Sequence, residues 1–490
     1  PGRRKWGLPS IRCSEQASSK SKPMRGRHRE RWKYGFAVCA GAAAGALVAT
    51  KGKEGLLVCG GVAGVGALFA VLWERLPHRS HDPGFAKKNQ VFWASIDARR
   101  GNQDADPIRI LRADVLSGGW SLFKVGGKKK QIQYGSQPGR LRLEEHEPHL
   151  STCPLCPGNE KNCPPDSVRF NKARELENDG GWSEPGEWIL RAVRNDSPML
   201  APPPGFYRDG SSRGILDCRN ELTNPNPDHP LYPQIDGVGV TEVIIESATH
   251  NVCPALQPVE DVLLTLRALL IRGREIEAHP KIKYAVYVKQ QGPLSGGSLV
   301  HPHSQILGTP FIPPAVKKRI KSCQRYFMRA KQCLVCRTLV SDPCGTGAAS
   351  ARTVAVTEHF VATVPYSGAP TNAIYLAPKR HMCRFVDLED GPELTDLAHT
   401  VRRLLGAIYF GLDGCSYNLM VYSMPPAHPA DAPGMHWFLA IYPRTGNEYG
   451  GFTLAAGPRV CTQLPEDDCV FLREKLREFD EQDKDEPQTP

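Results

Sequence analysis

Short apolar blocks of strand length recur along most of this 490-residue chain. Alternating or unbroken apolar runs at 188–193, 240–246, 284–288, 306–310, 373–376 and 417–422 predict β-strands. A further run over 435–442 belongs to the same series, and 112–123 reads as a turn followed by a strand. Two longer stretches have a helical period instead. Val259, Val262, Leu263, Leu266, Leu269 and Leu270 predict a helix over 258–278 with Pro258 near its start, and a second helix covers 392–409. Strands and helices mixed in this way predict an α+β fold. Residues 124–150 and 201–236, rich in Gly, Pro or charged side chains, predict loops.

The N-terminal region follows another pattern. Gly/Ala-rich apolar runs at 36–50 and 56–73 are split by Lys51-Gly-Lys-Glu-Gly55. Each is shorter than the roughly 20 residues that span a bilayer. Gly41, Gly45, Gly60 and Gly64 permit close helix packing, and basic flanks lie on both outer sides. We expect an apolar helical hairpin over 34–75, with residues 36–73 a possible membrane anchor. A processed organelle presequence or a buried helix pair are the alternatives. Residues 1–33 are a basic disordered or targeting segment, and 76–107 a polar linker. The chain opens at Pro1, so its natural start is expected upstream. Localisation is then membrane-associated or organelle-targeted through residues 1–75, and otherwise cytoplasmic.

Charge narrows the partners. The formal net charge is +11, but residues 1–33 carry eleven Lys/Arg against Glu15 and Glu30, so only about +2 belongs to the rest. No nucleic-acid footprint covers the body. Sixteen cysteines lack the dense spacing of a small secreted scaffold, which points to free thiols in a reducing compartment.

Two Cys-x-x-Cys pairs reveal an internal repeat. Cys153-Pro-Leu-Cys156 is followed by a strand, His250, a helix, a strand, a loop and His301. Cys333-Leu-Val-Cys336 is followed in the same order by His381 and His436, with 51 residues between the histidines of the first half and 55 in the second. One such pair alone could be redox-active or incidental. Two in register, each with two later histidines, fit a pair of tetrahedral Cys2His2 zinc sites of the closed, structural kind. We therefore divide the body into halves 108–315 and 316–480, with 481–490 a polar tail.

The chemistry is expected only in the first half. Gly292-Pro-Leu-Ser-Gly-Gly-Ser-Leu-Val-His-Pro-His-Ser-Gln305 sets a Gly/Ser loop before His301 and His303. The amides of Gly296 and Gly297 and the Ser298 hydroxyl suit a phosphate. Strand alternation would send His301 and His303 to one face, with Gln305 beside them. If His301 is tied to zinc, His303 stays free to attack the α-phosphorus of a nucleoside diphosphate compound. Gln305 can donate a hydrogen bond to phosphate but cannot serve as a proton-transferring acid, which favours transfer over hydrolysis. Phe438 stands where a second His303 would be.

These residues resemble the galactose-1-phosphate uridylyltransferase branch of the histidine-triad superfamily, including its plant-type ADP-glucose phosphorylase-like members. The resemblance covers about residues 108–480. It is carried by Arg112-x-Asp114, the CPLCPGNE run from Cys153, Asn195 before Pro198, Glu246-Ser-x-x-His250, GGSxxHPHSQ to Gln305, Pro378-Lys-x-His381 and His436-Trp-Phe-Leu439. It implies two tandem antiparallel-sheet halves, a nucleotidyl-histidine at His303 and Asn195 by the nucleotide ribose. It implies zinc at Cys153, Cys156, His250 and His301, with a second ion at Cys333, Cys336, His381 and His436. It also implies a homodimer. Three positions depart from the pattern. Gln290 replaces an Asn ahead of the phosphate loop. Thr453 replaces the acid of a Gly-Phe-Glu segment that contacts the hexose. Cys461 replaces an Asn. The leading expectation is UDP-glucose:hexose-1-phosphate uridylyl transfer, in galactose metabolism. The alternatives are ADP-sugar phosphorolysis with inorganic phosphate as acceptor, and a membrane-tethered nucleotide-binding module without turnover.

Overall fold

The computed structural model describes residues 108–113, 120–125, 141–177, 187–196, 198, 200, 202–203, 205–207, 239–341, 351–368, 370–427, 434–445 and 450–485. The segments 1–33, 34–75 and 76–107 lie outside the described residues, so the hairpin and its anchoring role receive no description. No helix among the described residues is long and apolar enough to cross a membrane.

Alternation produces the strands: β3 (Asp166–Asn171) is buried at every second residue, as is β8 (His303–Thr309) beyond Ser304. With β4 (Leu176–Glu177), β5 (Trp188–Arg194), β6 (Val240–Ile245) and β7 (Tyr284–Gln291) they make the first half's sheet. The second half supplies β9 (Thr353–Val356), β10 (Phe360–Thr363), β11 (Ile374–Pro378), β12 (Ser416–Tyr422) and β13 (Phe438–Arg444). The two expected antiparallel halves form one continuous sheet. All eleven strands join in the order β4-β3-β5-β6-β8-β7-β12-β13-β11-β10-β9. The order is symmetric about the seam between β7 and β12, where Tyr417 pairs with Gln291 and Val421 with Tyr287. A separate three-stranded sheet holds β1 (Ile108–Ala113), β2 (Trp120–Val125) and β14 (Arg459–Cys461), the last running parallel to β2. The start of the body is thus bonded to its end.

Helices cover both faces. Helix α1 (Val259–Ala278) starts after Pro258, with Glu260 and Asp261 in its first turn, where acids oppose the helix dipole, and stops before Pro280. It packs beside α3 (Pro392–Gly411), which in turn packs on α5 (Pro465–Asp485), against one face of the sheet. The core there includes Tyr287, Ile306, Leu376, Leu404 and Leu472. The opposite face carries Tyr284, Tyr375 and Phe438 under Val316 and Ile320 of α2 (Pro314–Ala330). A short helix, α4 (Gly451–Ala456), precedes β14. The tail boundary expected at 480 moves. Helix α5 continues to Asp485 because Phe479 is buried and Asp483 pairs with Arg402 at 2.6 Å.

Candidate functional site

The first Cys/His cluster is assembled by a tight loop and two strand ends. Gly158 adopts a positive φ of 93° that turns the CPLCPGNE run back on itself. Asn159 Nδ2 donates to the carbonyls of Ser151 and Cys153, and Glu160 accepts Trp188 Nε1–H at 2.8 Å. Cys156 Sγ then lies 3.4 Å from His250 Nδ1 and 3.5 Å from His301 Nδ1. One donor atom from each of Cys153, Cys156, His250 and His301 falls within 4.8 Å of every other, and all four residues are buried. A tetrahedral ion with bonds of about 2.3 Å to sulfur and 2.0 Å to nitrogen separates the two by roughly 3.5 Å, so the cluster fits one metal ion. The remote nitrogen agrees: His301 Nε2 donates to the Ser247 carbonyl at 2.8 Å, which leaves the Nδ1 lone pair facing the thiols. Burial pushes His301 down to about 3, keeping the ring neutral as ligation requires, and pushes Cys156 up to about 11 without a cation beside it.

His301 is not on the strand. It sits in the turn before β8, and the Pro302 carbonyl accepts the Glu246 amide at 3.1 Å. The strand begins at His303. There Nδ1 is 2.8 Å from the His301 carbonyl. A carbonyl only accepts, so this bond places the proton on Nδ1 and leaves the lone pair on Nε2. Burial lowers the pKa of His303, the nearby Lys289 adding to the shift and Glu246 opposing it. The result is a neutral imidazole held in one orientation. By strand register His303, Gln305 and Gln290 share the face away from α1.

The phosphate loop is tied down by both halves. Gly292 and Gly296 take φ of 81° and 87°. Gln290 Nε2 donates to the Ser295 carbonyl at 3.0 Å, and Gln305 Nε2 to Gln290 Oε1 at 3.3 Å. From β12, Asn418 Nδ2 reaches the same Ser295 carbonyl at 2.9 Å, while Ser416 Oγ accepts the Leu294 amide. Gly296 and Ser298 are exposed and Gly297 half-buried. Asn195 is not brought to His303. It follows the end of β5, its amide bonded to the Thr241 carbonyl, whereas Arg191 is the β5 residue level with Ile245 and His303.

Beneath β8, on the α1 face, lies a group the sequence reading missed. Lys289 Nζ is 2.7 Å from Glu246 Oε2 and 3.5 Å from the His303 carbonyl, with both side chains almost fully buried. Ser304 Oγ donates to Glu246 Oε1, and Gln257 Nε2 to the Glu246 carbonyl. The available signal was parity, since Lys289 shares the alternation of Ala285 and Tyr287 on an otherwise apolar face.

The second cluster repeats the donor set with differences. Cys333, Cys336, His381 and His436 also bring donor atoms within 4.8 Å, and Cys336 Sγ lies 3.3 Å from His381 Nδ1 and 3.1 Å from His436 Nδ1. The Cys336 thiol holds Cys333 down at about 5 through their hydrogen bond and is itself pushed up. At the strand position equivalent to His303 it has Phe438. Phe438 is packed between Tyr375 and Tyr422, each ring centroid 4.9 Å away.

No protein-family model matches the chain. It is 27% identical over 385 residues to ADP-glucose phosphorylase of Arabidopsis thaliana, covering 76% of this chain and 96% of that protein. It is 23% identical over 279 residues to galactose-1-phosphate uridylyltransferase of Thermotoga maritima, covering 56% and 69%. The crystal structure of the Arabidopsis phosphorylase with bound ADP-glucose superimposes with a TM-score of 0.56 at 25% identity, covering 75% of this chain and 98% of that one. A uridylyltransferase structure gives 0.53 at 21%, which attests to the fold. The symmetric sheet with a Cys/His cluster on each side of its seam defines a duplicated architecture. The chain is similar to plant ADP-glucose phosphorylase and to galactose-1-phosphate uridylyltransferases, the branch of the histidine-triad superfamily that its motifs resemble. It is an enzyme of the nucleotidyltransferase class.

Proposed function

We propose that the protein splits a nucleoside diphosphate sugar through a nucleotidyl-histidine, with ADP-glucose as donor and inorganic phosphate as acceptor. The observation that carries the chemistry is the His303 ring, whose Nδ1–H is held by the His301 carbonyl so that Nε2 keeps its lone pair. Nε2 attacks the α-phosphorus, a P–N bond forms, and the bond to the bridging oxygen breaks. Glucose 1-phosphate leaves as an anion and needs no proton, which suits Gln305, an amide that hydrogen-bonds but does not titrate. An oxygen of phosphate then attacks the same phosphorus, the P–N bond breaks, and ADP departs. The loop amides at Gly296 and Gly297, with Ser298, receive the phosphate charge, and Asn195 meets the nucleoside end.

Both clusters suit zinc, held by Cys153, Cys156, His250 and His301 and by Cys333, Cys336, His381 and His436. A cation in the first would fix His301, whose carbonyl orients His303. Phosphate is favoured over a hexose phosphate by two side chains. Thr453 Oγ1 donates inward to the Pro458 carbonyl at 3.0 Å, and the Cys461 thiol to the Gly368 carbonyl at 3.2 Å. Positions that contact the hexose in the resembling family are spent on the fold here. Transfer of uridylyl from UDP-glucose to a hexose 1-phosphate is the second reading, favoured by the similarity to the Thermotoga uridylyltransferase.

The test offers ADP-glucose and UDP-glucose, each with phosphate or with galactose 1-phosphate, to wild type and His303→Ala. ADP-glucose with phosphate should turn over, and radiolabelled nucleotide should stay on the wild-type protein when the acceptor is omitted. His303→Ala should lose both. An equally active His303→Ala refutes the mechanism. Turnover confined to UDP-glucose with galactose 1-phosphate replaces the first reading by the second.

A further inference from the structure

The two clusters share a donor set but not a setting. In the first, all four residues are buried, Cys156 and His301 completely. The imidazole of His301 is anchored from behind by the Ser247 carbonyl, and the Leu150 amide donates to Cys156 Sγ. In the second, only His436 is buried; Cys333 and Cys336 are half-buried and His381 is exposed. Cys333, Cys336 and His381 line a cavity of about 700 Å³, together with Phe327, Gln332 and Arg337. His436 Nε2, though buried, has no hydrogen-bond partner among the described residues. Among the described residues no carbonyl backs His381; the atom near its Nε2 is the sulfur of Cys383, at 3.7 Å.

Resting on the reading that both clusters hold zinc, we propose that the second is an exchangeable metal site, open through this cavity to small chelating or thiol ligands, while the first is locked. Exchange at a zinc site needs an incoming donor to reach the ion and an outgoing ligand with somewhere to go. The cavity provides the approach on the side of Cys333 and Cys336. His381 follows β11 at the surface and can swing into solvent without breaking a backbone contact of its ring. Cys383, whose thiol donates to the Met435 carbonyl at 3.1 Å, stands within reach as a further sulfur donor once that ring moves. None of this is available at the first cluster. There a departing His301 would abandon the bond to Ser247 and carry with it the carbonyl that orients His303. The fold has therefore placed the tightly enclosed ion beside the nucleophile and the accessible one in the half without chemistry. Metal traffic at the second site would leave His303 oriented.

The full-length zinc-loaded protein is mixed with 4-(2-pyridylazo)resorcinol, and the absorbance of the zinc complex is followed before and after unfolding in guanidinium. One equivalent should leave the native protein at least roughly tenfold faster than the other, the scale on which losing the hydrogen bond behind a ligating imidazole weakens a metal site. The slow equivalent should appear only on unfolding. Cys336→Ser should remove the fast phase and keep the slow one. His381→Gln, at an exposed position where folding is not at risk, should speed the fast phase or abolish it. Two equivalents leaving in a single phase would overturn the proposal and spare the zinc reading, as would a fast phase that survives Cys336→Ser and vanishes in Cys156→Ser. No zinc on unfolding overturns the zinc reading, and this inference with it.

Discussion

Replacing Lys289 by Met keeps the length and apolar stem of the side chain and removes its charge. In the wild type the ammonium sits 2.7 Å from Glu246 Oε2, the two side chains 2% and 1% exposed. Breaking such a pair strands a carboxylate in the interior, at a cost of about 3–5 kcal/mol. Ser304 Oγ and the surrounding backbone still face Glu246 but carry no opposite charge. The loss of stability therefore lies with the orphaned carboxylate. Restoring neutrality with Glu246→Gln in the same chain should recover most of it. The double variant separates the cost of an orphaned charge from the value of the pair.

Lys289 also reaches the His303 carbonyl, at 3.5 Å, and its partner Glu246 accepts from Ser304, the next residue of β8. The pair therefore holds the backbone from which the nucleophile projects. Misplacing a reacting group by about 1 Å can cost on the order of a hundredfold in rate, so kcat of Lys289→Met should fall by up to that factor while KM for the sugar nucleotide changes little. Urea unfolding at pH 8, with single-turnover measurement of nucleotide transfer to His303, reads both effects. If Lys289→Met unfolds within about 0.5 kcal/mol of wild type at pH 8, the range of ordinary surface substitutions, or transfers nucleotide at the wild-type rate, the positioning argument is wrong.

Glu277, pushed up to about 7 by burial, should make the protein less stable as pH rises from its ordinary 4.5 through 7, because the folded state binds the proton more tightly. Glu277→Gln should remove that slope in urea titrations and stabilise at pH 8 by up to about 3 kcal/mol. A Cβ at Gly296 would lie 2.7 Å from Gln290 Nε2 at a φ of 87°, so Gly296→Ala should lose about 1–3 kcal/mol locally and raise KM for the sugar nucleotide, with the unfolding midpoint of the whole chain nearly unchanged. Phe438→Ala empties a buried site between two tyrosines and should cost about 3–5 kcal/mol in unfolding experiments, while the stoichiometry of nucleotidylated His303 remains that of wild type.

What could be read along the chain was local or repeated. The Cys-x-x-Cys pairs, the spacing of His250 to His301 and of His381 to His436, and the alternation around 284–310 led to the right clusters because each depends on a short stretch and its copy. Three features escaped for a common reason. The seam of β7 on β12 joins strands more than a hundred residues apart, and nothing in either strand marks its partner. The parallel pairing of β14 with β2 is more distant still. Lys289 went unmarked, since its buried partner Glu246 lies on another strand's end. His301 was assigned to the strand by alternation alone. Pro302 lacks an amide for the ladder, and the turn it helps form lets His301 face Cys156 while His303 starts β8.

On the proposed mechanism, the seam explains how one half could give up chemistry without losing its place in the enzyme. Because β7 and β12 are hydrogen-bonded neighbours, the second half need not carry a nucleophile to act at the first half's site. Ser416 and Asn418 cross the seam directly, one accepting the Leu294 amide and the other gripping the Ser295 carbonyl, and so set the loop that meets phosphate. A histidine at 438 would find no comparable loop, because the neighbouring rings of Tyr375 and Tyr422 fill the space. The hydrophobic side chain there stabilises the same strand position that, across the pseudo-twofold, must hold an imidazole neutral and aimed. On the proposed mechanism duplication thus yields a division of labour rather than two sites: one half supplies the attacking nitrogen, and the other fixes the loop on which the charge it attacks must rest.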